Sequence, residues 1–318
     1  MISEEALRLR RVNWRIFFRR YGIVISFLLL CLVLSLLSDR FLTWTNILNV
    51  LRQSSINGII AVGMTMVILT AGIDLSVGAI LALTCVVTAD LLQKGLPVPL
   101  AMLTGLALGA ALGMFSGLLV SRLHIPPFIA TLGLMTVSRG LALTYTQGRP
   151  ITALPASFDF LGAGSIGPIP MPIIVAGLIF LIGYFILART NLGFYIYALG
   201  DNPMAARLSG ISVNKVILFV YALSGFLSAL AGMVLTGRLD SAQPTAGYGY
   251  EFDAIAAVVV GGTSLAGGEG SLFGTLVGAL LIGVLNNGLN LLNVSALWEG
   301  VVKGAVIALA LLLYRAVK

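Results

Sequence analysis

Val98-Pro99-Leu100-Ala101-Met102-Leu103-Thr104-Gly105-Leu106-Ala107-Leu108-Gly109-Ala110-Ala111-Leu112-Gly113-Met114-Phe115-Ser116-Gly117-Leu118-Leu119-Val120 contains no charged side chain. As a helix it would be roughly 35 Å long at about 1.5 Å per residue, enough to cross ~30 Å of hydrocarbon. Gly105, Gly109, Gly113 and Gly117 recur every fourth residue and form one smooth face. Helices in lipid associate by close packing, so this face reads as a helix contact.

The rest of the chain repeats that character. Hydrophobic residues make up 58% of the 318 and charged residues 10%, against about 45–50% and about 25% in soluble domains. Segments at about 21–38, 56–71, 74–93, 98–120, 127–146, 171–188, 216–236, 252–262, 272–290 and 297–314 read as ten spans. The third and eighth adjoin Gly-rich breaks. The expected class is an all-α membrane protein of about ten transmembrane helices. Residues 1–20 form a basic segment ahead of one transmembrane domain, 21–318.

Charge orients the chain. Six arginines precede the first span, and no small-residue cleavage site follows it, so it is read as retained. Threaded from an inside start, twelve of nineteen Lys and Arg fall inside and five (Arg40, Arg52, Lys94, Arg149, Arg238) outside. That follows the positive-inside rule and places both termini in the cytoplasm. The net +7 is read as this orientation signal and not as a nucleic-acid surface.

Catalytic chemistry is missing. Cys31 and Cys85 lie in apolar runs, and His124 is the only histidine, so no metal site is expected. The Gly-rich stretch Gly261-Gly262-Thr263-Ser264-Leu265-Ala266-Gly267-Gly268-Glu269-Gly270-Ser271 lacks the Gly-Lys-Ser/Thr ending of a phosphate loop. No nucleophile–base set or dinucleotide fingerprint is present, so the chain reads as a conduit that binds no cofactor itself.

Polar residues within spans are the candidate path. Asp74, between Gly72 and Gly78, can cap the third helix together with Ser76, or serve gating or coupling. Arg139 can pair with a carboxylate in the bundle or approach a hydroxyl of a transported solute. Asn286 and Asn290 share a helix face at i, i+4, and with Asn57 and Thr65 they suit either a polar path or interhelical hydrogen bonds.

Residues 189–215 are not membrane-like. Asp201 or Asn202 can cap a helix with Pro203 in its first turn, and Gly210 can stop it. The product is a helix of under two turns at the inner face, either a simple connection or a docking knob.

These segments resemble the permease subunit of bacterial ATP-binding-cassette monosaccharide importers. The resemblance rests on Ala61-Val62-Gly63-Met64-Thr65 through Gly72-Ile73-Asp74-Leu75-Ser76-Val77-Gly78; on Phe128-Ile129-Ala130-Thr131-Leu132; and on Tyr197-Ala198-Leu199-Gly200-Asp201-Asn202 with Ala205-Ala206-Arg207-Leu208-Ser209-Gly210. Asp253-Ala254-Ile255-Ala256-Ala257-Val258 through Gly261-Gly262-Thr263-Ser264 adds to it, and Ser241-Ala242-Gln243-Pro244-Thr245-Ala246-Gly247 with Leu285-Asn286-Asn287-Gly288-Leu289-Asn290 is most similar to ribose permeases. It implies a compact ten-helix importer fold in the bacterial inner membrane. It also implies a homodimer, a cytoplasmic ATPase carrying ATP and Mg, and a periplasmic sugar-binding protein. By the same resemblance Asp201, Asn202, Pro203, Ala205, Ala206, Arg207 and Gly210 form the coupling helix. The outer loops 39–55, 147–170 and 237–252, with Arg40, Arg52, Arg149 and Arg238, form the binding-protein rim. The alternative is an ion-coupled secondary carrier without an ATPase, for which Asp74 is the coupling candidate.

Overall fold

The computed structural model describes residues 14–295 continuously, then 298, 300–302, 304 and 305, with side chains from Gly22 onward. Most of the expected tenth span, and the first three N-terminal arginines, lie outside the described residues. Helices α1 (Trp14–Leu37), α2 (Trp44–Leu69), α3 (Val77–Gln93), α4 (Val98–Ser121), α5 (Pro127–Thr146), α6 (Ala156–Ala163) and α7 (Met171–Arg189) follow in order. Then come α8 (Asn191–Asp201), α9 (Pro203–Leu208), α10 (Val213–Leu239), α11 (Tyr250–Val260) and α12 (Leu272–Leu291). Two-residue strands β1 (Ile151–Thr152), β2 (Ser165–Ile166), β3 (Ile169–Pro170) and β4 (Ser241–Ala242) form the antiparallel pairs β1–β4 and β2–β3.

Five described helices, α4, α5, α7, α10 and α12, are long and apolar enough to cross a membrane. The others depart from that simple picture for physical reasons. Helix α2 is 26 residues long and continuously buried from Ser54 to Leu69, while in its polar first turns only Asn46 and Val50 are buried. It starts at Trp44, and residues 44–55 are therefore helical where a loop was expected. Helix α11 is only 11 residues, half the length a span needs.

Helix α10 is the central post. The glycine face of α4 presses on it: a Cβ at Gly109 would lie 2.6 Å from both Ala229 Cβ and the Gly225 carbonyl oxygen, and one at Gly117 3.1 Å from Leu218 Cα. The close-packing reading of that stripe is what the structure shows. Gly274 and Gly278 on α12 do the same against Gly261 and Ala257 of α11. Cys31 and Cys85 are free thiols.

Candidate functional site

Two non-helical segments turn back into the bundle. The first follows α2. Ala71 takes a left-handed conformation (φ 59°) and Gly72 N–H returns to the Val67 carbonyl at 3.0 Å. The chain then rises alongside α2. Asp74 Oδ2 accepts from Ser224 Oγ at 2.8 Å, and Ser224 Cα is also where a Cβ on Gly63 would lie, at 2.9 Å. Gly63 is six residues before the end of α2, so Asp74 has climbed roughly 9 Å back along it. Asp74 is fully buried, and its Oδ1 accepts Ser76 N–H at 2.9 Å and Ser76 Oγ–H at 2.5 Å. The expected cap is found for Asp74, which takes the backbone N–H of Ser76 at the start of α3, but not for Ser76. Ser76 holds the N-cap position but caps nothing with its side chain; it donates to Asp74, which ties the break to α10. Tyr221 Oη lies beside Gly72, buried and without a hydrogen-bond partner among the described residues.

The second segment follows β4. Leu81 would meet a Cβ on either Gly232 (3.0 Å) or Gly247 (3.2 Å), so Gly247 sits at the level of Gly232, roughly 10 Å down α10 from Leu239. Gly78, at the start of α3, touches it: a Cβ there would lie against the Gly247 carbonyl oxygen and 2.7 Å from Glu251 Oε2. Helices α3 and α11 thus both begin inside the bundle, their N-termini meeting around Gly78 and Gly247.

Helix α5 pins both segments. Thr131 Oγ1 donates to the Ile73 carbonyl at 3.2 Å, and two turns along, Arg139 Nη1 donates to the carbonyls of Pro244 (3.0 Å) and Ala246 (2.7 Å). Among the described residues Arg139 has no carboxylate within salt-bridge distance. It holds backbone carbonyls instead, with Glu251 near enough for the charges to interact and the Tyr248 ring 5.9 Å away. The expected carboxylate pairing is replaced by a clamp on irregular backbone, which has carbonyls to spare.

A polar seam runs along α2 between α11 and α12. Asn46 and Asn287 exchange amide hydrogen bonds at 3.0 and 2.8 Å, Asn57 Nδ2 donates to Asp253 Oδ2 at 3.3 Å, and Thr65 Oγ1 meets Thr275 Oγ1 at 2.8 Å. Asn290 Nδ2 donates to the Asn286 carbonyl at 3.0 Å, which is their i, i+4 relation. Ser54 Oγ, Asn57 Oδ1 and Asn286 Oδ1 are buried without hydrogen-bond partners among the described residues. Asn46 and Ser224 were not among the expected site residues, and Asn287, Asp253 and Thr131 entered only as parts of quoted motifs, without a role. Two of them carried a signal: Asp253 forms an acidic pair with Glu251 at a helix start, and Asn287 lies in the amide-rich run 286–290.

At the other end lies α9. Asn202 Oδ1 accepts from Met204 N and Ala205 N, both at 3.0 Å, so the cap is Asn202; Asp201 closes α8. Gly210 (φ +83°) ends α9 with Ile211 N–H on the Ala206 carbonyl and Gly210 N–H on that of Arg207, both 3.0 Å, a Schellman turn that needs a left-handed residue. Leu208 is 82% exposed and Met204 66%.

Residues 46–311 match the family model described as branched-chain amino acid transport system / permease component. The chain belongs to this permease family. Among proteins the permease is similar to are the ribose import permease protein RbsC of Haemophilus influenzae (51% identical over 292 residues, 91% of this chain and 90% of that one) and that of Bacillus subtilis (52% over 308 residues, 96% of each). The D-allose transport system permease protein AlsC of Escherichia coli is 42% identical over 321 residues, 99% of this chain and 97% of its own. No solved structure matches it.

Of the expected rim residues of the permease, Arg149 and Arg238 lie next to the β1–β4 pair, Arg40 precedes α2 and Arg52 lies within it; Arg40 and Arg149 are exposed and Arg52 and Arg238 half-buried. The rim is less loop-like than expected. Residues 156–163 form α6, packed on the end of α10, and 243–249 turn inward. Among the described residues no cluster of three His, Cys, Asp or Glu could hold a metal.

Proposed function

We propose that this permease is the membrane subunit of an ATP-driven ATP-binding-cassette importer that passes D-ribose into the bacterial cell. The observation that carries the reading is 51–52% identity with ribose import permeases along more than nine-tenths of the chain. In this reading ten spans cross the inner membrane with both termini cytoplasmic, residues 21–318 forming one domain. Two copies associate, a periplasmic binding protein delivers the sugar to the β-paired end, and ATP and Mg stay on a separate ATPase. The chain itself catalyses nothing.

The coupling helix is α9. Its exposed Met204 and Leu208, one turn apart, present an apolar knob to a groove on the ATPase, while the Asn202 cap and the Gly210 stop keep it short and stiff. Helix α8 joins this knob to the end of α2 and to the Gly-rich turn 261–271: Tyr197 Oη donates to the Gly270 carbonyl at 2.9 Å, and Gly268 N–H in that turn donates to the Leu69 carbonyl at 3.0 Å. A Cβ at Gly200 would collide with the Leu69 carbonyl oxygen and the Gly268 nitrogen. ATP can bias the bundle only through different affinities for its two states. Polar residues of the breaks and seam, Asn57, Thr65, Asp74, Arg139, Asn286 and Asn290, border the path or hold the helices that do. Arg40, Arg52, Arg149 and Arg238 meet acidic residues of the binding protein.

The test is radiolabelled ribose uptake into proteoliposomes holding the permease, its ATPase and its binding protein. Uptake that needs all three and ATP is expected. Uptake by the permease alone, driven by an ion gradient, would overturn the reading in favour of a secondary carrier.

A further inference from the structure

The second re-entrant segment alternates: Ala242, Pro244 and Gly247 are buried, while Gln243, Thr245 and Tyr248 are exposed. The buried set packs on α3 and holds the clamp from Arg139. The exposed set has no covering in the described chain, and Tyr248 is 84% exposed. Irregular backbone at membrane depth is tolerated only where it is buried in protein or lines a watery cavity. A lipid-facing Gln or Thr beside non-helical peptide groups would leave donors and acceptors unpaired. This face therefore belongs to water.

We propose that Tyr248, flanked by Gln243 and Thr245, is a platform on which the sugar ring lies during its passage. The inference rests on the ribose-importer reading above. The Arg139 guanidinium lies over one face of the ring, 5.9 Å from its centroid, and the high exposure leaves the other face open. A sugar offers C–H groups to the electron-rich ring face, and its rim of hydroxyls needs mixed donors and acceptors. Gln243 and Thr245 supply both, and Arg139 uses only Nη1 on its two carbonyls, so its other N–H groups are available to a hydroxyl. An aromatic face with amide, hydroxyl and guanidinium neighbours suits a neutral polyol and has no counter-charge role. The loop that carries Tyr248 is also the one that touches Gly78 at the start of α3, so any shift of that contact moves the platform.

The test uses the full complex in proteoliposomes. Tyr248→Ala and Tyr248→Leu are expected to lower ribose uptake about five- to tenfold, the loss of one ring contact, while binding-protein-stimulated ATP hydrolysis stays within about twofold. Tyr248→Phe and Tyr248→Trp are expected to retain uptake, because the ring and not the hydroxyl does the work. A Tyr248→Cys variant with Cys31 and Cys85 replaced by Ala is expected to react with a water-soluble maleimide and to be protected during ribose turnover. Three results overturn the proposal. In one, wild type carries ribose and both Ala and Leu variants match it. In another, Tyr248→Cys is inert to the reagent, or cross-links to its counterpart in a second copy, placing the residue in a closed subunit contact. In the last, wild type carries no ribose, which removes the importer reading and the platform together.

Discussion

Asp74→Asn and Asp74→Ala should behave very differently. The carboxylate accepts three hydrogen bonds in a fully buried site, from Ser76 N–H (2.9 Å), Ser76 Oγ–H (2.5 Å) and Ser224 Oγ–H (2.8 Å). Alanine leaves a fixed N–H and two hydroxyls without that acceptor. At about 1–3 kcal/mol for each stranded buried donor, and with partial escape for the rotatable hydroxyls, the loss is roughly 3–6 kcal/mol. For a chain of 318 residues that lowers the melting temperature by about 5–9 °C, at ~2.1 cal/mol/K of unfolding entropy per residue. Asparagine keeps Oδ1 for Ser76 and presents its amide to Ser224, whose hydroxyl can turn from donor to acceptor, so its cost is under about 1.5 kcal/mol. Thermal unfolding of the detergent-solubilised permease gives the stabilities, and ATP-driven ribose uptake gives the function. The Asn variant is expected to fold and transport, the Ala variant to melt early. An Asn variant as stable as wild type but unable to transport would refute the reasoning, because it would show that an ionisable group at 74 is required.

Gly78→Ala drives a methyl group into the Gly247 carbonyl and toward Glu251. Expelling the loop costs roughly 1–3 kcal/mol as overpacking, and uptake should fall with little change in basal ATP hydrolysis; unchanged uptake and melting would mean that the contact is loose. Asn202→Ala removes the acceptor for two N–H groups at the start of α9 at a cost of about 1 kcal/mol, and Ala206→Pro breaks the helix outright. Ribose-dependent ATP hydrolysis should weaken in the first and vanish in the second, and a normal rate in a folded Ala206→Pro complex would sink the coupling role. Burial and the nearby Asp240 carboxylate push the Asp159 pKa above the usual range. Because the folded value is the higher one, the penalty of ionising Asp159 is present above that value and relieved as pH falls through it. Asp159→Asn should therefore slow hydrogen exchange in α6 at neutral pH and flatten its pH dependence above the ordinary carboxylate range, and an identical profile in the variant would show that Asp159 is well solvated.

The long apolar runs and the glycine period were legible because lipid solvation acts residue by residue. Thus α5 begins and ends where hydropathy placed it, at Pro127 and Thr146. The short helix with Pro203 inside its start and Gly210 past its end was legible for a similar reason, since capping chemistry is local. The re-entrant segments were not. Nothing within Gln243-Pro244-Thr245-Ala246-Gly247 says that it folds inward, because what draws it there is Arg139, more than a hundred residues away. Hydropathy also misjudged the start of α2, since Asn46 is polar by itself and is satisfied only by Asn287 on α12. Polar residues that pair across helices lose their meaning when read along one.

That same dependence on distant partners bears on how a push at α9 could reach the path. Side-chain contacts bend by rotating torsions, so a displacement passed through several of them fades. The contacts between α8 and the breaks are of another kind. Gly200 lies against the Leu69 carbonyl oxygen and the Gly268 nitrogen, and Gly267 lies close enough to Ala71 that a Cβ there would be 2.9 Å from its nitrogen. Three backbones meet with almost no side chain between them, and close-packed interiors transmit strain instead of absorbing it. Leu69 and Ala71 lead directly into the segment carrying Asp74, and Gly268 precedes α12 by a few residues. A rigid shift of α8 with α9 must therefore displace both or break the hydrogen bond from Gly268 to Leu69. On the Asp74 side the motion continues into α10 through Ser224 and into α5 through Thr131, and α5 carries Arg139, which holds the loop bearing Tyr248. Removing one link, as in Thr131→Val, should then leave the fold intact and lower the number of sugars moved per ATP, whereas truncation of an unlinked α5 residue should not.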